Sequence, residues 1–398
     1  MAVTASMQVS DEERFDRLRR ISWWDQARLR RARVLVIGAG ALGNEVLKNL
    51  ALLGVGHVFI ADLDHVEASN LSRSVLFRDG DEGRPKAQAA AEAVQGIYTG
   101  TRTHWFSGDV VNDLGLGVYR WADVVIAGLD NREARLHVNR SCWKVNRPWV
   151  DGATEVLQGV ARVFIPPDGA CFECTMTAAD WQVLNERRGC AGMKAEALPQ
   201  ERVPTMPTTS SIVAALECQE ALKLLHGLPS LSGEGIVFNG MANDFYVVRY
   251  NRDEECNSHE AFAEVFLLQR RWDELTAREL LDEARARLGP GAVIEFGRDL
   301  LIAMECSACG TSEPVFRPSP SVPESAARCP RCGAMRSVER AHSADGSEPW
   351  IGRTLRDLGL PPFDIVAARR ESIQIGFEIS GDAAGVLGPL DGSIGEKE

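Results

Sequence analysis

Apolar residues recur along this chain in two rhythms. Unbroken runs, RVLVI at Arg33–Ile37 and HVFIAD at His57–Asp62, have the character of strands buried on both faces, and EVLKNLALL between them repeats apolar positions at helical spacing. A run, a helix and a second run predict a β-α-β unit with parallel strands, because the helix carries the chain back across the sheet. The alternation continues with an Ala-rich helix over Ala87–Gln95, a buried strand over Ala122–Gly128, a helix over Ala134–Lys144 and a strand over Pro148–Asp151. The fold class is α/β with a mostly parallel sheet.

Farther on the period shortens to two. Glu155–Ile165 alternates as an antiparallel strand does, a long helix covers Ser210–Leu225 with a stop at Gly227, and Ile236–Tyr250 reads as a hairpin closing the unit. Beyond Asn251 a helix over Ala277–Leu288, strands over Ala292–Phe296, Asp299–Glu305 and Asp364–Ala368, and a turn at Arg353–Leu360 predict a smaller α+β domain. The boundaries expected are 1–255 and 256–380, with an irregular crossover over 175–209, a cysteine-paired insert over 303–337 and a disordered tail over 381–398, rich in Gly, Asp and Ala.

Composition narrows the partners. A chain of 398 residues has material for two or three packed units, and its net charge of -12 argues against nucleic acid or an anionic membrane, which need clustered cations. No apolar run reaches the length of a membrane span, and Met1–Arg20 is polar where a secretory signal would be apolar, so a cytoplasmic protein is expected. In a reducing compartment the ten cysteines call for metal ligation or thiol chemistry, not disulfides.

Gly38, Gly40 and Gly43 in GAGALG leave the first strand and open a helix, so backbone can approach a phosphate at a helix N-terminus. Asp62, at the end of the second strand, is placed to bind ribose hydroxyls. These features alone suit a dinucleotide. The polar set that follows suits a triphosphate instead: Asn70, Arg73 and Lys86 in SNLSRSVLF and GRPKAQ, then Asp130 and Asn131 in GLDN, supply two cations for phosphates and a carboxylate for Mg2+.

The stretches RVLVIGAGALG, ADLDHVEASNLSRSVLF, GRPKA and GLDN resemble the ThiF/MoeB adenylyltransferases and, more closely, the activating enzymes for ubiquitin-like proteins, over about Arg14 to Gly227. The resemblance implies a Rossmann-like adenylation domain in which Asp62 binds ribose, Asn70, Arg73 and Lys86 bind the phosphates of ATP, and Asp130 binds magnesium. It implies that Arg17, ending RFDR, reaches a neighbouring subunit's ATP in a homodimer, and that the partner is a ubiquitin-like protein ending in glycine. Ala41 and Ser74 depart from the family's frequent glycine and glutamine.

The cysteines divide by spacing. Cys306, Cys309, Cys329 and Cys332 form two Cys-x-x-Cys pairs, a self-contained zinc-ribbon pattern of the structural kind. Cys171 and Cys174 form a third pair that needs partners, and the resemblance points to Cys256 and His259; otherwise those two are linker residues. Cys142 and Cys218 fall in apolar helical patterns as core residues, whereas Cys190, preceded by Arg187 and Arg188, has cations to lower its thiol pKa. In the ubiquitin-activating relatives a catalytic cysteine stands in this same stretch, so the resemblance implies a thioester on Cys190, although the threonine many relatives place next is absent.

After Asn251, WDELTARELLDEARARLGPGAVIEFGRDLLIAME and RTLRDLGL resemble the ubiquitin-fold domain that ends some activating enzymes, which implies recruitment of a conjugating enzyme. One chain carrying every part, rich in Arg and Ala, resembles bacterial ubiquitin-like conjugation systems, some of which serve antiviral defence. A sulfur-carrier adenylyltransferase without a thioester step, and a scaffold that keeps only the fold, are the alternatives.

Overall fold

The computed structural model describes residues 10–187, 193 and 204–395. Strands β1 (Arg33–Ile37), β2 (His57–Asp62), β3 (Arg102–Ser107), β4 (Val124–Ala127), β5 (Trp149–Glu155), β6 (Gln158–Phe164), β7 (Glu234–Asn239) and β8 (Asp244–Arg249) form one sheet in the order β3-β2-β1-β4-β5-β6-β7-β8. Pairing is parallel from β3 to β5 and antiparallel from β5 to β8. The strand order reverses at β1, and such a reversal opens a crevice at the carboxyl ends of the strands.

Side chains of β1 alternate between two apolar layers. Val34 and Val36 join one core and Leu35 and Ile37 the other, as the two-residue period of a strand requires. The first layer is closed by helices α3 (Ala41–Leu53), α4 (Lys86–Ile97) and α8 (Pro207–His226), with α1 (Asp11–Arg14) and α2 (Gln26–Arg31) ahead of them. Local residues set the ends: α8 begins with Pro207 in its first turn, and α3 and α8 stop at Gly54 (φ 72) and Gly227 (φ 71), whose left-handed backbone turns the chain out of the helix. The second layer holds α5 (Leu116–Trp121), α6 (Arg132–Lys144) and α7 (Ala178–Arg187), and α6 is capped by the Asn131 side chain, which accepts from the Ala134 N–H.

The C-terminal part forms a second sheet from β9 (Val265–Leu268), β10 (Val293–Glu305), β11 (Ser312–Pro318), β12 (Ser337–Ala344), β13 (Ile365–Arg370) and β14 (Ile373–Ile379). Its order is β11-β10-β13-β14-β9, with β12 also paired to β10. Helix α9 (Ala277–Leu288) buries Leu280, Leu281 and Ala284 against it and is opened by a capping box between Thr276 and Glu279.

Two expectations for this region are corrected, and one holds. The two strands expected over Ala292–Phe296 and Asp299–Glu305 are one strand, β10, carried past Gly297 at φ 68 with breaks in its ladder to β12. Arg353–Leu360 is the turn expected, the Leu358 N–H donating to the Thr354 carbonyl (3.1 Å) and Thr354 Oγ1 accepting from the Asp357 N–H. The tail after Gly381 is ordered as far as it is described: α10 (Ala383–Leu387) and the turns after it bury Ala383, Leu387 and Leu390 in the core that holds Val110 and Leu114. Composition pointed to disorder because Gly, Asp and Ala predominate there, but Ala383 and Leu387, four apart on α10, share one helix face, and Leu390 follows in the turns after Gly388.

That shared core welds the two parts together. The Leu116 N–H donates to Asp364 (2.8 Å), the Gly117 N–H to the Phe363 carbonyl (3.0 Å), and Arg120 pairs with Glu378 (2.8 Å). Gly117 is required by this approach, since a Cβ there would stand 2.5 Å from the Phe363 oxygen. Arg298 closes the seam by donating to the Asn112 carbonyl (2.7 Å) and pairing with Asp364 (3.3 Å).

His137 lies near this seam, its ring against Tyr119 and Ser141, and burial, reinforced by Arg298, lowers its pKa to about 3. The folded protein therefore keeps His137 neutral where the unfolded chain, with a pKa near 6.5, takes up a proton. Its contribution to stability is complete above about pH 6.5 and is lost as pH falls toward 3. Chemical denaturation between pH 6.5 and 5 is expected to show the parent losing about 1 kcal/mol per pH unit more than His137→Asn. Equal slopes would refute the assignment.

Candidate active site and metal centres

The carboxyl ends of β1, β2 and β4 gather most of the residues singled out from the sequence. Gly38 has φ 91 and a Cβ there would lie 2.5 Å from the Gly128 oxygen, while one on Gly43 would lie 1.8 Å from the Gly38 oxygen, so both glycines permit close backbone packing. A Cβ on Gly40 would meet nothing within 4 Å. The loop is thus tight where it meets the sheet and open where it starts α3, the place an anion would take at a helix N-terminus.

Asp62 holds this loop. Its carboxylate accepts from the N–H groups of Ala39 (2.6 Å) and Asp64 (2.7 Å), and burial raises its pKa while Lys86 opposes that rise. Lys86, at the start of α4, pairs with Asp64 at 2.8 Å. Asn70 is buried and accepts from the Glu67 N–H (2.9 Å), and Arg73, half-buried, donates to the Ser69 carbonyl (2.7 Å). Asp130 is exposed two residues beyond Gly128, whose N–H donates to the Ile37 carbonyl (3.0 Å), and it accepts from the Asn131 amide (3.2 Å).

Two supporting residues escaped the sequence reading. Asn44, fully buried, donates to the Ala39 (2.6 Å) and Gly40 (3.0 Å) carbonyls and accepts from the Leu76 N–H (2.9 Å), joining the glycine loop to the segment that carries Asn70 and Arg73. A lone polar residue in the otherwise apolar first turn of α3 was the available signal. Arg135 bonds the Leu129 carbonyl and the Gly152 carbonyl (3.0 Å) and pairs with Asp151 (3.0 Å), bracing the ends of β4 and β5 beneath Asp130. Its place four residues after Asn131, on the same helix face, was the hint.

Helix α7 covers one flank. Val183 and Leu184 line a small recess with Asp130, Asn131 and Arg132, and Arg132 pairs with Asp180 at 2.7 Å. Cys190, three residues past this helix, lies outside the described residues. Arg17 is exposed and is not brought to this glycine loop: Phe15 packs on Gly54 at the far end of α3, about 20 Å of helix away.

Both cysteine clusters assemble. In each, the four ligand atoms of Cys171, Cys174, Cys256 and His259, and of Cys306, Cys309, Cys329 and Cys332, lie within 4.8 Å of one another. The sulfur separations are 3.7 Å for Cys171–Cys174, 3.6 Å for Cys171–Cys256 and 3.7 Å for Cys309–Cys329. A tetrahedral zinc with Zn–S bonds of about 2.3 Å needs edges of about 3.8 Å, so both donor sets fit that metal. His259 brings Nε2 to 3.4 Å from the Cys174 sulfur and stacks on Trp143 at 4.4 Å, and the Asp253 N–H donates to that sulfur at 3.4 Å. The linker residues after β8 are therefore ligands in geometry.

Residues 14–258 match the ThiF family. The chain belongs to the ThiF family. Among its relatives, the NEDD8-activating enzyme E1 catalytic subunit of Dictyostelium discoideum is 41% identical over 164 residues, which cover 38% of this chain and 37% of that protein. The chain thus spans little more than a third of that relative. The sulfur carrier protein adenylyltransferase of Thermus thermophilus is 31% identical over 263 residues, covering 65% of this chain and 88% of that protein. The crystal structure of E. coli MccB with ATP shares the fold, with a TM-score of 0.52 at 20% identity over 64% of this chain and 75% of that one. No helix among the described residues of this ThiF-family chain is long and apolar enough to cross a membrane.

Proposed function

We propose that this ThiF-family protein adenylates the C-terminal carboxylate of a ubiquitin-like protein with ATP, then carries it as a thioester on Cys190 and passes it to a conjugating enzyme. The observation that carries this reading is the convergence of the open Gly40 loop, Asp62, Lys86 and Asp130 at one crevice, with α7, which ends three residues before Cys190 in the sequence, lining the Asp130 recess. Relatives named as an activating enzyme and as a sulfur-carrier adenylyltransferase support the same chemistry.

In the first step the carboxylate oxygen attacks the α-phosphorus, the bond to the bridging oxygen breaks and pyrophosphate leaves. Gly40 and the α3 N-terminus receive phosphate oxygens, Asp62 orients the ribose, Asn70, Arg73 and Lys86 hold the triphosphate, and Asn131 keeps Asp130 in place. A magnesium ion held by Asp130 would neutralise the departing charge. In the second step the Cys190 thiolate forms a C–S bond to the acyl carbon, the bond to AMP breaks, and the thiol proton has gone to solvent. Placement of Arg17 away from its own glycine loop supports a homodimer in which it serves the neighbouring site. The C-terminal α+β part, read as ubiquitin-fold-like, is the recruiting surface for the conjugating enzyme.

The second reading, adenylation of a sulfur carrier without a thioester, is favoured by the greater share of this chain that the Thermus relative covers. One experiment separates them. With ATP, magnesium and Gly-ended ubiquitin-like proteins the parent is expected to form a thiol-sensitive adduct that Cys190→Ala lacks, while that variant keeps pyrophosphate exchange. An adduct that persists in the variant removes Cys190 from the mechanism.

A further inference from the structure

Met193, in the crossover between α7 and α8, is 1% exposed. It packs with Leu301 and Met304 of β10 and with Val322 and Ala327 of the cysteine-paired insert, a core distinct from the other three. The metal ligands bracket this cluster, since Cys306 follows Met304 by two residues and Cys329 follows Ala327 by two. An insert so small has little apolar surface to bury by itself. A side chain from far upstream in the sequence completes its core.

The same stretch is held at its other end. Leu184 is buried beside Asp130, and Arg132 pairs with Asp180 on α7. From Arg187, where α7 ends, to Met193 the chain can span at most about 21 Å, and Cys190 falls midway in that sequence.

We infer that the zinc-ribbon insert is a docking seat for the crossover segment of its own chain, and that Met193, seated there, is a positioning residue for the Cys190 step. The seat stands on the packing alone, and its consequence for transfer rests on the thioester reading above. A thiol three residues from a fixed anchor searches less space for the acyl carbon than one on a free segment. Loss of the anchor slows transfer without touching the nucleotide crevice.

The full-length, zinc-loaded chain grown with photoreactive methionine is to be irradiated and its cross-links mapped by mass spectrometry. A cross-link from Met193 to the 312–328 peptide is expected, and it should disappear in Cys329→Ser. Single-turnover transfer onto Cys190 is expected to be about tenfold slower in Met193→Gln and restored in Met193→Leu, with pyrophosphate exchange within about twofold of the parent in both. Absence of the cross-link in the zinc-loaded parent overturns the seat, and parental transfer in Met193→Gln overturns the positioning role. If the parent itself forms no thioester, the functional reading fails and takes the positioning role with it, while the cross-link still decides the seat.

Discussion

Replacing Asp130 with alanine is expected to lower ATP–pyrophosphate exchange by about a thousandfold, or about 4 kcal/mol of transition-state stabilisation, while the fold stays intact. The separation of the two effects follows from where the carboxylate sits. Asp130 is exposed and stands above the buried network in which Arg135 ties the Leu129 and Gly152 carbonyls to Asp151, acting on Arg135 through charge alone. Nor does it cap α6, because Asn131 does that through the Ala134 N–H. Its removal therefore leaves the helix start and the ends of β4 and β5 supported, and takes away an exposed carboxylate at the crevice beside the glycine loop. Exchange assayed at saturating ATP and magnesium, alongside thermal unfolding, tests both halves. Exchange at the parental rate would contradict the metal-binding role, and a large fall in melting temperature would contradict the structural argument.

Removing the first metal centre is expected to be the most destabilising change. Cys174→Ser should lower bound zinc from two ions per chain to one and cost several kcal/mol of folding stability, read by metal analysis and denaturant unfolding. Cys171 and Cys256 are 85 residues apart, so the ion closes a long loop and joins the irregular segment after β6 to the linker that enters the second part. The centre is embedded in its surroundings: Glu173, between the two cysteines, accepts from Arg140 of α6 (3.0 Å) and from Ser258, and Trp143 backs the His259 ring. Without the ion four ligand groups are left crowded together, and the stacking and ion-pair contacts lose their common anchor. Two zinc ions retained in Cys174→Ser, or unchanged stability, would refute the assignment.

Much of the crevice was legible because its chemistry is local. Strand period, helix period and the glycines between them are set by neighbours within a few residues, and the roles proposed for Asp62, Lys86 and Asp130 depend on their positions just past strand ends. Cys-x-x-Cys spacing is local in the same sense, since two thiolates three residues apart present themselves to one ion whatever surrounds them. The pairing of Cys171 and Cys174 with Cys256 and His259 was not local: spacing left it open, the family resemblance pointed to it, and the geometry brings those four together.

The amino-acid sequence by itself determined the α/β class, the glycine loop, the catalogue of polar residues around it and the ribbon spacing. Tertiary structure decided the rest: that Leu387 and Leu390 bury under the first sheet, that β10 runs unbroken past Gly297, that Asn44 braces the loop, and that Met193 completes the ribbon's core. The physical reason is that burial is a property of surfaces from distant segments meeting. A single helical turn in a Gly-rich tail, or a lone methionine in a crossover, gives too short a pattern to show which distant surface it will meet.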